Sequence, residues 1–168
     1  MKLILETERL LLRLLTTDDA KFIVKLVNTP GWIEFIGDMN IKTNEQAKIY
    51  LENGPLKSYV LNGFGLYMVE LKIEKIQIGI CGIIKRDLLE NPDIGFAFLP
   101  EYTGKGLAFE IAKATMIYGG EKLRLSKIFA VTVSHNKDSI KLLEKIGLRF
   151  IHEFCFPGEE EELMLFSN

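Results

Sequence analysis

The chain has little cysteine and little histidine: two of each in 168 residues. Cys81 and Cys155 stand in separate apolar segments, at a spacing that fits neither a zinc site nor a redox pair. With His135 and His152 as the only imidazoles, no metal centre is expected. The thiols read as reduced and buried, the ordinary state in a cytoplasmic protein. A basic excess is also missing. Lys and Arg total 21 against 23 Asp and Glu, a net charge of −2, which speaks against direct nucleic-acid binding, since that binding is driven by cationic surface. No run of about 18 apolar residues occurs, so no membrane span is expected. The apolar part of "MKLILETERL" is too short for a signal peptide. Linkers, repeats and low-complexity tracts are absent, and the length suits one domain over residues 1–168. What remains is an ordinary globular composition, 48% hydrophobic and 26% charged. Its one charge block, "GEEEEL" at Gly158–Leu163, reads as a solvated turn before a last strand.

Periodicity predicts the order β-α-α-β-β-β-α-β-α-β-β. "LLLRLL" (Leu10–Leu15) is an apolar strand. Thr16–Asp19 cap a helix with apolar spacing at Phe22, Ile23, Leu26 and Val27, and Pro30-Gly31 ends it. A second helix begins near Thr43. "GLYMVEL" and "IQIGICGII" read as a hairpin, and "DIGFAFL" (Asp93–Leu99) as a third strand of that group. A helix follows from Leu107, weakened near its end by Gly119-Gly120. "KIFAVTV" is a β-branched strand. "NKDSIKLLEKIG" is a helix capped by Asn136 and closed by Gly147. "RFIHEFCF" and "ELMLF" make a final hairpin. Hairpins and a strand-helix-strand crossover together mean a mixed-sheet α/β domain.

Thr103, Gly104, Lys105 and Gly106 stand between the Asp93 strand and its helix, with no acid among them. A helix N-terminus exposes unpaired N–H groups and carries about half a positive charge. Glycines let an anion approach those groups, and Lys105 adds a full charge. Thr103–Ala108 therefore suits a phosphate, although a plain strand-to-helix turn needs the same glycines. The loop has neither the GxxxxGK[ST] nor the GxGxxG pattern. A second helix start, "SHNKDS", puts Asn136 and Ser139 three apart on one face. Asn136 reads as an N-cap in any case, and Ser139 also reads as a solvated helix residue. If the two preceding strands are parallel neighbours, both helix N-termini open at one sheet edge, where a ligand meets both.

These segments resemble the GNAT N-acetyltransferases. "YTGKGLA" is similar to the family's acetyl-coenzyme A loop, Q/R-x-x-G-x-G/A, with Thr103 first, Gly106 fourth and Ala108 sixth. "NKDSIKLLEKIGLRF" resembles its N-x-x-S helix and Gly-aromatic turn. "ETERLLLR" (Glu6–Arg13) is similar to the opening of the branch that includes the ribosomal-protein N-terminal acetyltransferases. The resemblance spans nearly the whole chain. It implies a mixed, mostly antiparallel sheet with splayed parallel central strands flanked by helices. It implies direct transfer of acetyl from acetyl-coenzyme A to a primary amine, on a protein N-terminus or a small molecule, without a metal. The cofactor would be held by Phe98, Leu99, Thr103, Gly104, Lys105, Gly106, Leu107, Ala108, Asn136 and Ser139. A backbone N–H at Phe98 or Leu99 would polarise the thioester as an oxyanion hole does. Two departures stand out. Thr103 replaces a long Gln or Arg donor, and Leu143 stands where many members carry a tyrosine acid, leaving Ser139 as the candidate acid.

The base depends on the acceptor, because a lysine amine has a pKa of about 10.4 and an α-amine about 7.7–8.0. Asp93, at the start of the strand that leads to the loop, is the first candidate, and Glu34 in "GWIEFIGD" is the second. Each taken singly also reads as a surface carboxylate. Trp32 and Phe35 either wall an acceptor pocket or pack their loop onto the core. His152 and Cys155 have opposite strand parity and read as structural. Two functions therefore stand: an N-acetyltransferase, and a non-catalytic acyl-coenzyme A binding or sensing protein. Either would be a monomer or a homodimer, with the last strands as the surface available for pairing.

Overall fold

The computed structural model describes residues 2–168. Its centre is one eight-stranded sheet in the order β1-β2-β3-β4-β5-β6-β8-β7. The strands are β1 (Leu3–Glu6), β2 (Leu10–Leu14), β3 (Leu66–Leu71), β4 (Gln77–Ile84), β5 (Asp93–Phe98), β6 (Phe129–Val133), β7 (Arg149–Phe154) and β8 (Leu163–Ser167). Every neighbouring pair is antiparallel except β5 and β6. The expected mixed sheet is thus found, with one further short strand, β1, which the sequence reading did not anticipate.

The sheet buries both faces, as the two-residue strand period requires. Tyr67 and Val69 join a cluster with Leu107, Ile111 and Ala112 of α5 (Leu107–Glu121) and Leu143 of α6 (Lys137–Lys145). Met68, between them, joins the opposite cluster. That cluster is covered by α1 (Ala20–Val27), α2 (Pro30–Phe35) and α3 (Asn44–Leu51). A short helix α4 (Lys57–Asn62) follows a π-type turn around Pro55 and ends at Gly63 with φ 79°.

Pro30 does not simply end the first helix. α1 stops at Val27, and Pro30 opens α2 at its first position, where the missing N–H costs nothing. Glu34 and Phe35 are therefore helical residues. α5 runs through Gly119-Gly120 to Glu121, and a Cβ on Gly119 would stand 2.7 Å from Ile128 Cδ1. That glycine is a packing choice. The thiols also divide: Cys81 is buried, but Cys155, just past the end of β7, is exposed.

β2 is pinned by a buried ion cluster. Arg13 donates to both carboxylate oxygens of Asp19 at 2.8 Å and through Nε to Glu70 at 2.8 Å. Gln77 adds a bond to Asp19. Asp19 also accepts the Thr16 N–H in the capping box of the 3-10 turn Thr17–Asp19 that leads into α1. Burial pushes the Asp19 pKa up, but these hydrogen bonds outweigh it and the net direction is down. No helix among the described residues is long and apolar enough to cross a membrane.

Candidate active site

β5 pairs with β4 along its whole length, Asp93 to Phe98 opposite Ile84 to Gly79. With β6 it pairs only at Asp93–Phe129, where the Phe129 N–H donates to the Pro92 carbonyl at 2.8 Å. Past that point the parallel strands part, and a cleft opens toward their carboxyl ends. Which backbone groups line it follows from alternation. The Leu99 N–H donates to the Ile78 carbonyl at 2.9 Å, so the odd residues of β5 bond to β4. The N–H groups of Phe96 and Phe98 then face the cleft. Leu99 is corrected on this ground: its donor is spent on β4 and its side chain is buried. Phe96 presents its N–H to the cleft in its stead. The two-residue period would have found it, had the sequence said which neighbour claims the odd donors.

At the end of β5 a 3-10 turn, Pro100–Tyr102, leads into the glycine loop. The Thr103 hydroxyl donates to the Pro100 carbonyl at 2.8 Å, so its proton is committed within the loop. Gly104 and Gly106 have φ 72° and 76°, the left-handed region that favours glycine. A Cβ on Gly104 would meet no atom within 4 Å, so the glycine there serves the backbone angle and not the space. Gly106 is the N-cap of α5, and no side chain caps that helix. The first N–H groups of α5 therefore point at the cleft rim without a side-chain acceptor. Lys105 holds its ammonium 5.5 Å from the Tyr102 ring centre.

β6 leads to the second helix start in the same way. Asn136 Oδ1 accepts the Ser139 N–H at 3.1 Å, the expected N-cap, and the Asn136 N–H donates to the Val133 carbonyl. Ser139 lies half-buried in the first turn of α6. Because β5 and β6 are adjacent and parallel, both helix N-termini sit at one edge of the sheet.

α2 reaches the same edge. The Phe35 ring lies 5.5 Å from that of His135, in the turn between β6 and α6. Glu34 is exposed on α2, whereas Trp32 is buried in the cluster that holds Leu99. The Trp32 Nε1 has no hydrogen-bond partner among the described residues. Phe35 and His135 thus stand side by side at this edge, and Trp32 packs into the buried core. His135 could not be read from the sequence because its contact with Phe35 spans 100 residues of chain.

Asp93 does not belong to this group. It lies at the opposite end of β5, roughly 17 Å of strand from Phe98. Its carboxylate is buried and bonded to Arg86 Nε at 3.0 and 3.1 Å. Burial raises its pKa, an effect that Arg86 opposes. It anchors the one point where β5 and β6 meet and is not placed to act as a base in the cleft. Cys81, also buried, has its thiol pushed up to about 12 by burial and is no nucleophile.

Residues 9–149 match the acetyltransferase (GNAT) domain family. The chain belongs to this family. As a GNAT protein it has a relative in the N-acetyltransferase YoaA of Bacillus subtilis, itself uncharacterised, at 30% identity over 147 residues, 87% of this chain and 82% of that one. A GNAT-family acetyltransferase from Bacillus anthracis superposes with a TM-score of 0.80 at 27% identity, covering 99% of this chain and 97% of the other. RimL, a ribosomal L7/L12 α-N-protein acetyltransferase solved with coenzyme A, shares the fold at a TM-score of 0.84 and 11% identity, covering 99% and 97%. This GNAT chain is an acetyl-coenzyme A-dependent N-acetyltransferase. Its residues fit that cosubstrate: an uncapped helix N-terminus behind two left-handed glycines suits phosphate, and the unclaimed N–H groups of β5 suit an extended amide arm.

Proposed function

We propose that the amine acceptor enters between α2 and the β6–α6 turn and attacks directly in the β5–β6 cleft. The observation that supports this is the parting of β5 and β6 beyond Asp93–Phe129, with both helix N-termini at the open end. Bound acetyl-coenzyme A supplies an activated thioester. The Phe98 N–H, with Phe96 behind it, donates to the carbonyl oxygen as charge builds there. Ser139 stands at the start of α6 to hydrogen-bond the departing sulfur; the N–C bond forms as the C–S bond breaks, and the proton shed by the amine nitrogen passes to solvent or to the thiolate. Gly104 to Ala108 hold phosphate through backbone donors. Phe35 walls the acceptor, and exposed Glu34 on the same helix draws a cationic amine toward it.

With Asp93 at the far end of β5, no buried carboxylate among the described residues stands at the open end to act as a strong base. This favours an α-amine, roughly one molecule in ten of which is neutral at pH 7. RimL is named for such an acceptor, a protein N-terminus. We place the protein in the cytoplasm, where acetyl-coenzyme A is made available and free thiols such as Cys81 and Cys155 persist. The test is release of free thiol from acetyl-coenzyme A with pools of amines. Peptides with free Ser, Ala or Met N-termini form one pool, and polyamines, amino sugars and amino acids form the others. Turnover with the peptide pool is expected. Turnover confined to a small-amine pool would overturn the α-amine assignment. Binding without turnover in any pool would leave an acyl-coenzyme A sensor.

A further inference from the structure

The motif "ETERLLLR" has two arginines, and only Arg13 is buried structure. Arg9 is half-exposed, at the turn between β1 and β2, yet its guanidinium lies against the glycine loop. Each nitrogen has a separate place. Nε donates to Glu110 Oε2 at 2.6 Å. Nη1 donates to the Lys105 carbonyl at 3.1 Å. Nη2 has no hydrogen-bond partner among the described residues and lies 3.5 Å from where a Cβ on Gly106 would be. The clamp is redundant: Glu110 Oε1 also accepts the Arg9 backbone N–H at 2.9 Å and the Thr7 hydroxyl. The side chain is thus fixed in orientation, with one donor left over, beside the N-cap of α5.

We propose that Arg9 supplies the cationic donor that Thr103 lacks. In the loop pattern the first position is a long Gln or Arg, and here it is a threonine whose proton goes to Pro100. A donor from the other end of the sequence fills the gap: Nη2 meets a phosphate oxygen held by the first N–H groups of α5, while Nη1 fixes the loop at Lys105. The charge balance requires the same residue. Glu110 lies in the first turn of α5, where a bare carboxylate would repel an anion about one helical turn away. Arg9 neutralises it. The inference rests on the acetyl-coenzyme A reading of the site and adds the residue that reads its phosphates.

The experiment titrates coenzyme A calorimetrically into wild type, Arg9→Ala, Arg9→Lys and the double variant Arg9→Ala/Glu110→Gln. It then compares kcat/KM for acetyl-coenzyme A with that for S-acetylpantetheine, which carries no phosphate. Arg9→Ala is expected to weaken coenzyme A binding by about tenfold or more, the loss of a charge-assisted hydrogen bond. It should raise KM for acetyl-coenzyme A and leave S-acetylpantetheine within twofold of wild type. Arg9→Lys should recover part of the affinity, and so should the double variant. Affinity of Arg9→Ala within twofold of wild type would overturn the proposal. So would an equal loss with S-acetylpantetheine, which would mark a disordered loop, or full recovery in the double variant, which would reduce Arg9 to a counter-charge for Glu110. Failure of the wild type itself to bind coenzyme A would overturn the proposal together with the reading beneath it, and is told apart by needing no variant.

Discussion

Ser139 and Gly106 carry the sharpest expectations at the scale of single residues. Ser139 has its N–H bonded to Asn136 Oδ1, which fixes the first turn of α6, and its hydroxyl is the donor proposed for the departing sulfur. A thiol leaving group has a pKa of about 8.5, so it needs a hydrogen bond more than a whole proton. Such a bond to a charged group is worth about 1.5–3 kcal/mol. Ser139→Ala should therefore lower kcat by roughly 10- to 150-fold with KM for acetyl-coenzyme A little changed. Steady-state kinetics with any accepted amine decide it, and a kcat within twofold of wild type would take Ser139 out of the mechanism. Gly106 combines φ 76° with a place at the N-cap of α5. A β-branched residue there is strained in backbone and crowds Arg9. Gly106→Val should weaken coenzyme A binding by at least about tenfold. Calorimetric affinity equal to wild type would reduce the loop to a turn.

At the scale of elements, β2 and β5 show how the sheet is locked and where it is released. β2 is locked by Arg13, which serves Asp19 and Glu70 at once in a buried setting. Removing the cation strands two carboxylates without their partner. Arg13→Leu should cost about 3–5 kcal/mol, read as a lower urea midpoint at unchanged slope; a loss below about 1 kcal/mol would show that water replaces the guanidinium. The cluster also sets an acid response. Asp19 has a lower pKa folded than unfolded, so its contribution is complete above the unfolded value of 3.8 and is lost as pH falls through the lower folded one. Asp19→Asn should be less stable than wild type near neutrality, and the gap should close in acid. A gap that stays constant from neutrality to pH about 2 would contradict this. β5 is released because Asp93, the one residue paired to β6, is followed by none. Its pairing with Arg86 keeps that pivot in place at the end remote from the chemistry.

For the molecule as a whole, folding and cosubstrate binding are one linked equilibrium. The cleft is built from two parallel strands, two helix N-termini and α2, so a ligand that bridges them stabilises the assembled state only. At a hundredfold excess over Kd, acetyl-coenzyme A should add about 2.7 kcal/mol to stability. This is expected as a rise in Tm that grows with the logarithm of ligand concentration. An unchanged melting curve at millimolar ligand would mean that the cleft does not hold it.

Local signals in the sequence were enough for most element types, the α/β class and the loop, though not for β1 or α2. Caps, glycines and periodicity act within a few residues, and so Asn136, Gly106 and the apolar faces of α1 and α5 could be read directly. The likeness of three short segments to one family carried the chemistry. What the tertiary structure decided was everything that depends on which strand neighbours which. The Leu99 N–H goes to β4 and the Phe96 N–H faces the cleft because β4, not β6, claims the odd donors of β5. Asp93 proved to be remote because the strand that carries it runs away from it toward the site. Arg9 and His135 come to lie beside Lys105 and Phe35, about a hundred residues away in each case. A sequence records such pairs at no fixed spacing; only the register of the folded sheet puts them side by side.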